Sequence, residues 1–167
     1  SPFSKMDLAP LLRAFARAIV PQSPRPVVRL LAGSASPDHL KLVQQDIERA
    51  GLASHVRVYP NFPLDQRPHI LAAADVLVSP VDNTQETFGL SLLEAMSAGL
   101  PVVASRFDGY KDRGDDEVDG FLIDTYSAPA DPMAEWFDVT DATISQLFQS
   151  QGVAVDLPQL VERVLRL

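Results

Sequence analysis

No cysteine occurs among the 167 residues. That excludes a disulfide framework and any thiolate-held metal centre, and it fits a reducing, cytoplasmic setting. Histidine is scarce too: His39, His55 and His69 stand far apart, without metal-ligand spacing, and read as surface or capping residues. Basic residues are outnumbered, with 14 Lys and Arg against 22 Asp and Glu, a formal charge of −8. Nucleic-acid binding needs a basic footprint and anionic membranes attract one, so neither partner is expected. There is no Gly-Lys-Ser/Thr element of a phosphate P-loop and no Gly-x-Ser-x-Gly elbow of a hydrolase. The acidic run Asp112, Asp115, Asp116, Glu117, Asp119 invites a calcium reading. An EF-hand counted from Asp115 puts Tyr126 where the bidentate Glu must stand, so the run reads as a solvated loop.

What is present is an ordinary globular composition, 46% hydrophobic and 22% charged, at a length suited to one domain spanning 1–167. Leu8 to Val20 is apolar but interrupted by Arg13 and Arg17. Leu8, Leu11, Leu12, Phe15 and Ile19 recur at helical spacing with both arginines off the stripe. This is an amphipathic helix that packs on the domain's own sheet, not a signal peptide or a membrane span.

Beyond it, short apolar runs alternate with helical patterns. Val27 to Gly33, Val56 to Tyr59, Val76 to Ser79, Val102 to Ser105 and Phe121 to Asp124 read as buried strands. Asp38 to Ala50, Leu64 to Ala74 and Gly89 to Ala98 read as helices between them. β-branched strands without polar alternation mark a parallel sheet covered on both faces. The fold class is therefore α/β, a doubly wound, Rossmann-like sheet of about five or six strands. After Asp124, Thr125 to Pro132 reads as loop. Two helices without strands of their own follow, Asp141 to Gln151 and Leu157 to Arg166, the second with Asp156 as N-cap and Pro158 in its first turn.

Open α/β sheets bind ligands at the carboxyl ends of their strands. One such end leads into Glu86-Thr-Phe-Gly-Leu-Ser-Leu-Leu-Glu-Ala-Met-Ser-Ala-Gly-Leu-Pro-Val-Val-Ala-Ser105. Here a loop acid, Glu86, precedes a helix that starts at Gly89 and carries a second acid, Glu94. Carboxylates accept hydrogen bonds from sugar hydroxyls, and a helix start favours anionic oxygen. Together they suit a sugar nucleotide. Leu92, Ala95 and Met96, with Leu93 beside them, form the expected buried stripe of this helix. Glu94 falls off it and leans toward the helix N-terminus.

This stretch resembles the donor-binding half of the family 4 retaining glycosyltransferases, enzymes of two-domain GT-B architecture. The likeness extends more loosely from Lys5 to Asp124. It implies that Glu94 holds the ribose hydroxyls and that Glu86 meets the donor sugar near the reacting carbon. Backbone N–H groups of Phe88, Gly89 and Leu90 would face the sugar and diphosphate. Ser4-Lys5-Met6-Asp7-Leu8 before Leu11-Leu12-Arg13-Ala14-Phe15 matches the family's diphosphate-clamping Lys, and the Arg paired with it would fall before Ser1. Asp108-Gly109-Tyr110-Lys111-Asp112 corresponds to a turn flanking the donor pocket, and the base would meet backbone near Tyr59 to Phe62. No Asp-x-Asp occurs, so no metal cofactor is expected. The resemblance implies a nucleoside diphosphate sugar as donor substrate and an N-terminal acceptor-binding domain for which 167 residues leave no room. The chain alone is expected to lack turnover. Another GT-B-type sugar-nucleotide enzyme, such as an epimerase, stays open as an alternative. So does a non-catalytic Rossmann-like binding module with Glu86 and Glu94 as surface acids.

Overall fold

The apolar stripe at the start of the chain becomes a helix in the computed structural model, which describes residues 8–23, 28–33, 35–81, 89–106, 117–127 and 153–167. The chain divides into two compact units, Ser1–Ala74 with Leu157–Leu167, and Asp75–Asp156.

In the first unit, α1 (Leu8–Ala14) continues through a π-helical turn (Phe15–Ile19) into α2 (Val20–Gln22). The Val20 N–H bonds the Phe15 carbonyl five residues back. Pro21 follows, and without an N–H it cannot close the next α-type bond, which accounts for the widened turn. Leu11, Leu12, Phe15 and Ile19 are buried while Arg13 and Arg17 are exposed, as the spacing predicts. Strands β1 (Arg29–Gly33) and β2 (Val56–Pro60) pair in parallel, with Arg29 opposite Val56 and Gly33 opposite Pro60.

Helix α3 (Pro37–Arg49) connects them. Ser36 is its N-cap, with Oγ accepting from the His39 N–H and lying 3.0 Å from His39 Nδ1, so His39 does serve a cap. The helix ends at a left-handed Gly51 (φ +69), where Leu52 N–H reaches Ile47 O at 2.9 Å. That is the Schellman arrangement, and it folds Leu52 into the core. Val43, Ile47, Leu52 and Val56 join Leu12, Phe15 and Ile19 in one apolar cluster, with Val161 and Val164 packed against it. The last two belong to α6 (Leu157–Arg166), the expected terminal helix. Arg29 stands beside this cluster, its Cζ 6.0 Å from the Phe15 ring centroid. Burial pushes its guanidinium down to about 10, which leaves it charged at neutral pH. A single 3₁₀ turn (Leu64–Gln66) leads into the short α4 (Arg67–Ala72).

The second unit holds a parallel sheet of order β3-β4-β5: β3 (Leu77–Ser79), β4 (Val102–Ser105) and β5 (Gly120–Ile123). Central β4 is buried at all four positions, as a continuous apolar run requires. Gly120 lies opposite Val102, and a Cβ built there would stand 1.9 Å from the Val102 carbonyl oxygen. Only glycine permits that approach. Helix α5 (Leu90–Ser97) precedes β4 and ends at the left-handed Gly99 (φ +77), with Leu100 N–H on Ala95 O at 3.0 Å.

Two expectations are corrected. Thr125 to Pro132 was expected as loop, but Thr125–Ser127 is strand β6, and Val153–Val155 is strand β7 just before α6. The two pair antiparallel, Tyr126 opposite Ala154. β6 is short and polar, with a partner far along the chain, so it carries no periodic apolar signal. The expected helix Asp141–Gln151 lies outside the described residues. Among those described, no helix is long and apolar enough to cross a membrane.

Candidate functional site

Gly89 opens α5 in the left-handed conformation, φ +60 and ψ +29. A side chain there would be strained. Its carbonyl accepts the N–H groups of Leu92 and Leu93, at 3.0 and 3.2 Å. The Leu90 N–H, at the first helical position, has no acceptor within the helix. The Leu90 side chain is 62% exposed. Leu92 and Ala95 are buried and Met96 is partly so, but Leu93 is exposed. The buried face is thus narrower than expected, because 100° per residue turns position 93 away from 92 and 95. Glu94 is partly buried, next to that face on the second turn of α5. Lys5, Glu86 and Phe88, and the Asp108–Asp112 turn, lie outside the described residues. Gly89, Leu90 and Glu94 are therefore the expected site residues that the structure brings onto one helix.

The strand ends of the same unit are laced together by contacts that periodicity could not disclose. At the end of β4, the fully buried Ser105 donates its hydroxyl to the Val81 carbonyl at 2.6 Å. The next residue faces the other neighbour: Arg106 N–H donates to Ile123 O at 2.6 Å. Thr125 Oγ1 donates to Arg106 O, and Arg106 Nε lies 3.3 Å from an Asp124 carboxylate oxygen. That ion pair is 46% and 50% exposed, so its contribution is small. Tyr126 donates its hydroxyl to Asp156 Oδ2 at 2.9 Å. This hydrogen bond, then the Asp156 charge, hold Tyr126 above the usual tyrosine range.

In the first unit the strand ends are joined differently. Asn61 takes a positive φ of 52, a conformation Asn tolerates better than most residues. Its amide pairs twice with the backbone of one residue: Oδ1 accepts from Ala35 N–H and Nδ2 donates to Ala35 O, both at 2.9 Å. Its own N–H donates to Gly33 O at 2.8 Å. The side chain thereby continues the β1–β2 ladder past its last pair. Beside it Tyr59 and Phe62 stack, centroids 5.9 Å apart and nearly parallel, and the Tyr59 hydroxyl meets Gln66 Oε1.

Residues 7–136 match the family described as glycosyl transferases group 1, well over half of the chain. The chain belongs to this family. Among relatives of this group 1 glycosyl transferase chain is a D-inositol 3-phosphate glycosyltransferase of Corynebacterium urealyticum, 33% identical over 156 residues. That match covers 92% of this chain and 35% of the relative, so the chain spans about a third of that protein's length. The Anabaena Alr3699/HepE structure in complex with UDP-glucose superimposes with a TM-score of 0.59 at 27% identity, covering 98% of this chain and 42% of that one. The C-terminal domain of a group 1 glycosyl transferase from Francisella tularensis (LpcC) shares the fold, with a TM-score of 0.58 at 22% identity. It covers 92% of this chain and 76% of that domain. The α/β architecture is accordingly the Rossmann-like, C-terminal half of a GT-B glycosyltransferase.

Proposed function

We propose that this chain is the donor-binding domain of a retaining glycosyltransferase that moves a sugar from a nucleoside diphosphate sugar to an acceptor hydroxyl. The observation that carries the reading is the start of α5. A left-handed Gly89 delivers the chain into a helix whose first N–H groups face outward along its axis, with Glu94 one turn further on. Phosphate oxygens are stabilised at such a terminus by the aligned peptide dipoles. A carboxylate on the following turn suits the paired hydroxyls of a ribose.

The remaining roles rest on the resemblance of the Glu86–Ser105 stretch. Glu86 meets the hydroxyls of the transferred sugar, the N–H groups of Phe88, Gly89 and Leu90 face sugar and diphosphate, and Lys5 neutralises the diphosphate. Leaving-group charge is then stabilised by helix-start dipoles and a basic side chain, without a required metal. Departure of the diphosphate from the anomeric carbon on the face that the acceptor attacks retains configuration, and a leaving phosphate oxygen takes the acceptor's proton. The name of the Corynebacterium relative supports glycosyl transfer, and the UDP-glucose complex of the Anabaena protein supports the donor class. Acceptor binding is assigned to an N-terminal domain, so these 167 residues alone bind donor weakly and do not turn over.

Calorimetric titration of the chain with UDP, GDP and ADP and their common sugar conjugates tests this reading. Saturable binding of one nucleotide, weakened in Glu94→Ala, is the expected result. Equal binding by the variant would remove Glu94 from the site.

A further inference from the structure

We propose that Arg106 is a binding residue for the donor's diphosphate, exchanging its Asp124 partner for the anion that arrives at the start of α5. The inference deepens the donor reading above and rests on it.

Arg106 is the one basic side chain among the described residues of the second unit. The chain carries a formal charge of −8, so a diphosphate is held only where local positive charge outweighs that field. The aligned peptides at the start of α5 supply part of that charge. Arg106 stands at the same level. The chain reverses between Ser97 and Val102, so α5 and β4 run in opposite directions. Helix α5 packs on β3 and β4. Its eight residues span about 12 Å, and the four of β4 span about 13 Å. The lengths match. The first turn of α5 therefore comes level with the carboxyl end of β4, where Arg106 follows Ser105.

The backbone of Arg106 is fixed more firmly than its side chain. Its N–H donates to Ile123 O at 2.6 Å, and its carbonyl accepts from Thr125 Oγ1 at 3.3 Å. Neither bond uses the guanidinium, so a substitution there keeps the strand ends in place. The guanidinium meets Asp124 at 3.3 Å through Nε, and both side chains are about half exposed. A pair in that setting is weak, whereas the guanidinium fork matches two phosphate oxygens at once. Asp124 thus keeps the cation at the strand ends while no donor is bound, and competes with the donor for it.

The consequence has a sign. Arg106→Gln and Asp124→Asn break the same ion pair, so a merely structural pair makes both variants lose affinity together. An anion-binding Arg106 makes them diverge, because one variant removes the cation and the other removes its competitor. The test titrates UDP, GDP and ADP into the chain and into both variants at one ionic strength. Arg49→Gln, which removes the same charge from an exposed pair in the first unit, controls for net charge. For the nucleotide that binds, the expected affinity falls about 3- to 10-fold in Arg106→Gln and rises about 2- to 5-fold in Asp124→Asn. In Arg49→Gln it stays within about 1.5-fold, because salt screens a remote exposed charge. Affinity that does not fall in Arg106→Gln, does not rise in Asp124→Asn, or falls equally in Arg49→Gln overturns the exchange and leaves the donor reading standing. Absence of binding by the unaltered chain to every nucleotide overturns the donor reading and this inference together.

Discussion

The two units of the chain are held by different kinds of interaction. The first is organised by an apolar cluster in which Leu12, Phe15 and Ile19 meet Val43, Ile47, Leu52 and Val56. The second has a strand buried at every position, and side-chain hydrogen bonds from Ser105 and Thr125, with the backbone N–H of Arg106, lace the ends of its sheet. Apolar burial is non-directional and fixes a shape. Hydrogen bonds at strand ends are directional and fix where particular backbone atoms lie. Both units carry such bonds at their strand ends, through Asn61 in the first and Ser105 in the second, while among the described residues only the first is also organised around one large apolar cluster that includes α1 and the π-helical turn.

The largest effect on this comparison should come from Leu12→Ala, which empties the centre of the first unit's cluster. A loss of about 2–5 kcal/mol in urea unfolding is expected; a loss below about 1 would show that the cluster is loosely packed. Next is Gly120→Ala in the second unit, where the added methyl meets the Val102 backbone. Strand displacement of this kind should cost about 1–3 kcal/mol or more, measured in the same way.

Asn61 separates bonding from strain. Asn61→Ala removes both amide bonds to Ala35 and leaves Ala at φ +52, so a loss of about 2 kcal/mol is expected. Asn61→Gly removes the same bonds without the strain and should lose about half as much. Equal losses would assign the whole effect to the bonds.

The smallest effect concerns Tyr126, which is 60% exposed. Its folded-state pKa is raised above 10.0 by Asp156. Its stabilisation is therefore fully present below the unfolded value near 10 and disappears as pH rises through the higher folded value. The melting-temperature gap between the chain and Tyr126→Phe should shrink between pH 9 and pH 12. A gap that stays constant would remove the tyrosine proton from the account.

The parts of this fold that were legible are those written in hydrophobic period. Val102–Ser105 is the strand the apolar run predicts to the residue, and the α1 stripe is buried as its spacing demands. Strand β6 was missed because Thr-Tyr-Ser has no apolar pattern and pairs with Val153–Val155 across a long stretch of chain. Leu93 was placed on the buried face by hydrophobicity alone, although its angular position turns it outward. Gly89 could be assigned as a helix start from the Phe-Gly-Leu context. Ser105 and Asn61 could not be assigned, because a side chain that bonds a backbone atom 24 or 26 residues away leaves no local mark.

The most direct test of the donor site is a comparison of ribose hydroxyls against Glu94. The nucleoside diphosphate that the chain binds is titrated beside its 2′,3′-dideoxy analogue, into the chain and into Glu94→Ala. A carboxylate that accepts from ribose hydroxyls should make the chain prefer the intact ribose by roughly 10- to 100-fold. The variant should show almost no preference. An undiminished preference in Glu94→Ala would mean that another group holds the ribose, and the reading of α5 as the nucleotide's seat would be wrong.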